Sequence, residues 1–141
     1  MKNLKFLIHM MVLIFACSDR QDIPHEVNLA FESAFPNAKA IKWEYENDFW
    51  EVDFKKNNHR FSAVFDLKGN WVETEYEIHI DELPAIIFDS IKTRFDDYKF
   101  KEVEVVESVT GNYYEIELKY IHNEIEVIYD DQGNFIQLKD Y

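Results

Sequence analysis

FWEVDF (Phe49 to Phe54) and YYEIEL (Tyr113 to Leu118) stand 64 positions apart in a chain of 141 residues and agree in residue type at every position. Each alternates apolar and acidic side chains, the period of a strand whose two faces meet different surroundings. The same offset carries FDLKGNW (Phe65 to Trp71) onto YDDQGNF (Tyr129 to Phe135). Upstream, Pro24, Phe31 and Phe35 fall on Pro84, Ile91 and Phe95 at an offset of 60, so four residues are inserted near Glu107 to Asn112. Three matches in chain order read as an internal duplication.

Each copy opens with a helix pattern. Val27, Ala30, Phe31, Ala34 and Phe35 share one helical face, as do Ile87, Phe88, Ile91 and Phe95. Pro24 and Pro84 fit the first helical turn, with Asp22 and Asp81 upstream as cap candidates. Four strand patterns follow in each copy, joined by short Asn- and Gly-rich turns such as Asn47-Asp48, Asn57-Asn58, Gly111-Asn112 and His122-Asn123. The expected fold is α+β: a tandem duplication of an α-β-β-β-β unit, with antiparallel strands and both helices on one face. The copies span residues 23–80 and 81–141, as one domain over 23–141, either one continuous sheet or two sheets edge to edge. The length suits one compact domain or two small halves sharing a core.

Setting Trp50, Val52 and Phe54 toward the helices sends an unusual set the other way. Glu44, Glu46, Glu51, Asp53, Glu73, Glu75, Glu77, Glu102, Glu104, Glu115, Glu117, Glu124 and Glu126 are expected on one exposed face, against Lys42, Lys55, Arg60, Lys119 and Lys139. Phe49, Trp71, Tyr113 and Phe135 are placed there too, at strand starts, with Val64 and Ile128 between them. Like charges on neighbouring strands repel, so such a face is either a solvated surface or a docking surface with aromatic anchors. The contact candidates are Phe49, Glu51, Asp53, Trp71, Glu73, Glu75, Tyr113, Glu115 and Glu117, for a cationic protein or peptide. A net charge of -13 is a poor match to a phosphate backbone and argues against nucleic acid as a partner.

The first residues form an address. Lys2 and Lys5 precede an apolar run, Phe6 to Ala16, broken by His9. It is shorter than the ~20 residues a spanning helix needs but suits a secretory signal over residues 1–16. Ile14-Phe15-Ala16-Cys17 resembles the bacterial lipobox, which implies cleavage before the single cysteine and lipid attachment at Cys17, with residues 17–22 as a short tether. The chain is then an exported lipoprotein, facing the periplasm or on the outer membrane. Such an acidic chain gains nothing from anionic headgroups, so the lipid alone would hold it at the membrane.

No catalytic residue, metal site or cofactor is indicated. There is no G-x-S-x-G, no histidine or cysteine spacing suited to zinc, and no phosphate-cradling glycine loop. Asp130 to Asn134 lacks the alternating acids and closing Glu of a calcium loop. Paired carboxylates abound, but a flat exposed face would lack the desolvation that acid–base chemistry needs.

Phe35-Pro36, Ala38 and Trp43, then Asp66, Gly69 and Trp71, within the stretches Ala30 to Phe54 and Phe65 to Ile78, with Asp81 to Pro84 following, resemble the PepSY-like, β-lactamase-inhibitor-like domains found on exported proteins and lipoproteins of Bacteroidota. The resemblance implies a tandem α+β fold similar to β-lactamase-inhibitory protein, which binds its target through a concave sheet. Shape alone does not transfer function. The expected role is a non-enzymatic envelope binding module, inhibitor-like in form. The alternatives are a small envelope enzyme on a cystatin-like scaffold, with a pocket between helix and sheet, or a purely structural envelope protein.

Overall fold

A computed structural model of the chain describes residues 22–140. The leader, Cys17 and all of the tether but Asp22 lie outside the described residues. Helix α1 (His25–Ala34) is followed by β1 (Lys39–Glu46), β2 (Phe49–Lys56), β3 (His59–Asp66) and β4 (Trp71–Glu77). A 3-10 turn, Ile80–Glu82, leads into α2 (Ala85–Arg94), then β5 (Lys99–Ser108), β6 (Gly111–Tyr120), β7 (Asn123–Asp130) and β8 (Phe135–Asp140). All eight strands form one antiparallel sheet in sequential order, joined across the repeat boundary by β4 and β5. Of the two sheet arrangements open to the sequence, the continuous one is adopted.

Each helix docks on its own set of strands, both on the same face. Val27 and Phe31 of α1 pack on Trp50, Val52, Phe54, Ala63 and Phe65. Ile87 and Ile91 of α2 pack on Val103, Ile116, Leu118, Ile125, Val127 and Tyr129. The buried residues thus form two clusters, one under each helix, and not the single shared core. A ten-residue helix is marginal alone, so this docking holds each one. Aromatic contacts tighten the first cluster, where Phe35 and Phe54 have ring centroids 4.6 Å apart.

Helix entry differs from expectation. Pro24 and Pro84 are the N-cap residues, not members of the first turn, and neither helix has a side-chain cap. Their carbonyls start the helices, accepting from Val27 and Asn28 in one copy and from Ile87 and Phe88 in the other. Asp81 lies in the 3-10 turn, where its N–H is directed at His79 Nδ1.

The insertion is spread over a hairpin. β5 and β6 are ten residues each where β1 and β2 are eight, and the turn falls at Val109-Thr110, with Gly111 already in β6. The next turn falls at Ile121-His122, one residue before the expected position.

Four irregularities bend the sheet, and they too are duplicated. β1 and β5 each carry an extra residue, Ile41 and Lys101, while β4 and β8 each carry one just after their first residue, Val72 and Ile136. A bulge reverses the side-chain parity beyond it and kinks the strand. Ile41 and Ile136, which plain alternation puts with Trp43 and Leu138 on the core side, are accordingly exposed.

Candidate functional site

Parity is decisive on the sheet face away from the helices. Cross-strand partners place Glu51, Val64, Glu73 and Ser108 side by side over β2 to β5. Alongside run Asp53, Ser62, Glu75, Val106 and Tyr113, then Glu104, Glu115 and Ile128. A last row holds Glu102, Glu117, Glu126 and Lys139. The sequence assigned these acids to this face, and they are there.

Their exposure is another matter. Glu115 is only 6% exposed; Ile128 directly across from it, Val106 on β5 and Val64 on β3 are buried too, without belonging to either helix-side cluster. Glu51, Asp53, Glu73, Glu75, Glu104, Glu117, Glu124 and Glu126 are half-buried, whereas Glu44, Glu46, Glu77 and Glu102 are exposed. No helix or strand of the described residues lies over this face. Within that set, the shielding comes from the neighbours themselves, crowded on strands that the bulges bend. The fully solvated wall expected from the sequence is therefore corrected: Val64, Val106 and Ile128 on this face are buried, among half-buried carboxylates.

Shielding changes the chemistry of those carboxylates. Burial, reinforced by Glu126, holds the Glu115 carboxyl up at about 8, with Lys139 opposing. Glu75 and Glu104 are hydrogen-bonded to each other, and burial raises both, Glu104 above Glu75. Two carboxyls can share such a bond only through a proton, so the pair titrates as a unit. Asp53 is raised more gently, by burial. At the edge of the face the trend reverses, and Glu124 is held down to about 2 by its bonds from Lys119 and Lys101.

The nine contact candidates do not all meet here. Glu51, whose Oε1 accepts from Ser62 Oγ at 2.7 Å, lies on the face with Phe49, Asp53, Glu73, Glu75 and Tyr113. Glu115 forms its most buried point. Glu117 is taken up by an ion pair of 2.6 Å with Lys101. Trp71 is on the other side. The bulge after it pairs it with Phe65 in the helix-side core, where its Nε1 donates to Thr74 Oγ1 at 2.8 Å. Phe135 follows the same path and packs edge-on to Tyr129. Two features were not among the candidates: Glu104, directly opposite Glu115, and the buried apolar residues. Alternation had put Val64 and Ile128 on this face, though not among the contacts.

The helix side offers a different cavity, a groove of about 400 Å³ lined by Phe35, Phe54, Phe61, Tyr76, His59 and Glu107, among others. Four aromatic rings share its walls with the polar side chains of Lys56, Asn57, His59, Thr74 and Glu107; Glu107 accepts from Tyr76 Oη at 3.3 Å. Among the described residues no group of His, Cys, Asp and Glu is arranged to hold a metal ion. The Asp130 carboxylate is used within its own turn, accepting from the N–H groups of Gln132 and Asn134 and from Asn134 Nδ2. Asp66 does the same with Lys68 and Asn70. No helix of the described residues is long and apolar enough to cross a membrane.

Solved structures share this architecture. A BLIP-like protein from Bacteroides fragilis superimposes with a TM-score of 0.74 at 20% identity, covering 85% of this chain and 87% of its own. A protein from Bacteroides eggerthii, titled among "putative periplasmic proteins", gives 0.78 at 19% identity, covering 85% and 90%. A DUF2874 family protein from Bacteroides uniformis gives 0.77 at 17% identity, covering 83% and 88%. At these identities the likeness is one of fold. A search of the curated proteins finds no match. The family described as "Putative beta-lactamase-inhibitor-like, PepSY-like" matches residues 16–62 and again residues 51–137. Two matches along one chain, on a doubled α-β4 fold, make this protein a member of that PepSY-like, β-lactamase-inhibitor-like family.

Proposed function

We propose that this protein is a non-enzymatic binding module of the cell envelope, inhibitor-like in form, that receives a cationic protein or peptide on the sheet face away from the helices. One observation carries the reading. The face keeps buried apolar residues, Val64, Val106 and Ile128, beneath half-buried acids, with no described helix or strand above them. An apolar floor inside a charged surround is the anatomy of a protein-binding patch. Phe49 and Tyr113, both half-buried at the margin, supply aromatic contact, while Glu51, Asp53 and Glu73 steer a positive partner. Export, with lipid attachment at Cys17, places the module at the envelope; the B. eggerthii neighbour's title is in keeping with that location.

Capture from envelope extract tests the reading, comparing the unaltered protein with the double variant Glu51→Lys, Glu73→Lys. The variant is expected to lose the partner while its melting temperature stays close to that of the parent. Equal capture by both would remove this face from consideration. An enzyme built on the helix-side groove has less support, because substrate sites bring together polar groups free to engage a ligand and Glu107, the carboxylate of this groove, already accepts from Tyr76.

A further inference from the structure

Glu115 is a charged residue type in a place that does not suit it. It sits mid-strand in β6, 6% exposed, between Glu104 on β5 and Ile128 on β7. Among the described residues no N–H or O–H group donates to its carboxylate, and no ammonium or guanidinium forms an ion pair with it. The charged groups around it come from every neighbouring strand. They are Glu73 and Glu75 on β4, Glu104 on β5, Glu126 on β7 and Lys139 on β8, with Glu51 on β2 and Glu102 on β5 next to Glu75 and Glu104. Lys139, the cation in that set, lies 2.9 Å from Glu126 and is committed there. A buried carboxyl without a donor costs free energy unless protonated or given a cation. Leu would fill the same position without that cost, so the site is built like a receptor that lacks its counter-charge.

We infer that Glu115, with the hydrogen-bonded Glu75–Glu104 pair beside it, receives one guanidinium group of the partner, and that its arrival expels protons from these carboxyls. This rests on the sheet-face reading and specifies the chemistry of its centre. A guanidinium fits better than an ammonium for two reasons. It spreads five donors in a plane, enough for carboxylates on three adjacent strands, and it is more weakly hydrated, so a shielded site costs it less. Arginine keeps its charge at every accessible pH, so the protein's carboxyls supply the proton linkage. Ligand binding that requires an ionised group grows tighter as the pH rises through that group's range.

The test uses the full chain in detergent and blocked tri-arginine and tri-lysine peptides at physiological ionic strength, measured by calorimetry at about pH 6 and about pH 8.5. With Glu115 releasing its proton at about 8, tri-arginine is expected to bind at least ~10-fold tighter at the higher pH, with release of roughly one proton per peptide near neutrality. Glu115→Gln should reduce that pH dependence to the share carried by the Glu75–Glu104 pair and weaken binding at the higher pH. Glu32→Gln, on the exposed side of α1, should change neither. Equal affinity at both pH values, an unaltered profile in Glu115→Gln, or tri-lysine binding as tightly as tri-arginine would each overturn the inference. If Glu115→Gln still captures an envelope partner that Glu51→Lys, Glu73→Lys has lost, with no pH dependence in either, this inference fails and the sheet-face reading stands. If the double variant captures as well as the parent, the sheet-face reading fails with it.

Discussion

Gly69 lies directly against the main chain of Glu26: a Cβ on this glycine would stand 2.6 Å from the Glu26 carbonyl oxygen. The contact seats the β3–β4 loop on the first turn of α1, and Gly69 has φ +79° besides. Its counterpart, Gly133 at φ +84°, meets the side chain of Ile86 on α2, with Cγ2 at 2.7 Å. The duplication has kept the glycine, the turn and the helix it touches, but not the atom that it touches.

The two glycines should therefore respond unequally to alanine. Both substitutions incur left-handed backbone strain of ~1 kcal/mol. At Gly133 the obstacle is an exposed side chain that can rotate away, whereas at Gly69 it is backbone, and helix and loop must part. Gly69→Ala is expected to cost ~2–4 kcal/mol and Gly133→Ala ~1–2 kcal/mol, read from denaturant melts. Equal costs would mean that the loop–helix contact is not what Gly69 serves.

Ile121 takes the turn position that Asn57 holds in the first copy, with φ +55° against +52°. A β-branched residue is strained there, whereas Asn is accommodated. Ile121 is 67% exposed and has little packing to lose. Ile121→Asn should raise stability by ~1 kcal/mol, a gain of several degrees in melting temperature. A lower melting temperature would show that the isoleucine has a contact worth more than the strain.

Trp71 shows where local reading stops. Alternation along WVETEYE placed it with Glu73 and Glu75, but an extra residue at Val72 turns it into the helix-side core. Nothing in the local pattern marks that bulge; the Asp66 turn just before it, with Gly69 and Asn70, was the nearest clue. Trp71→Ala is thus expected to destabilise the fold by ~2–3 kcal/mol and to leave partner capture by the folded protein unchanged. Lost capture at full folding would return the tryptophan to the binding face.

The strands, the duplication and the faces of the acids were legible because they depend on periods of two and on matching offsets. Glu115 was assigned to the right face and given the wrong surroundings. Alternation says which way a side chain points, but its exposure depends on what crowds it, here Glu104 and Ile128 across from it on the two flanking strands. The two separate cores were illegible for a similar reason, since periodicity does not say which helix covers which strands.

Membrane attachment is predicted to depend on one atom. If Cys17 carries the lipid, Cys17→Ser should shift the protein from the membrane fraction to the soluble one. An acidic chain has no electrostatic hold on anionic lipid to compensate. A variant that still sediments with membranes would point to a protein partner as the anchor.

Stability itself should fall as pH rises, because of the same buried carboxyls. In the unfolded chain Glu115 ionises near its usual 4.5, while in the fold it keeps its proton to about 8. Across that window the native state binds more protons than the unfolded state, so the free energy of unfolding decreases with pH. The Glu75–Glu104 pair, raised by burial, acts in the same direction. Below the window, Asp66 and Asp130 act oppositely: their turn hydrogen bonds hold them low, and the stability they give is lost as acid protonates them. The melting temperature should therefore peak near pH 5 and decline toward pH 9. Glu115→Gln, which removes the charge but keeps the shape, should flatten the decline and gain up to about 4 kcal/mol at pH 9 while changing little at pH 5. A parallel downward shift at both pH values would mean that Glu115 acts through packing and not through its proton.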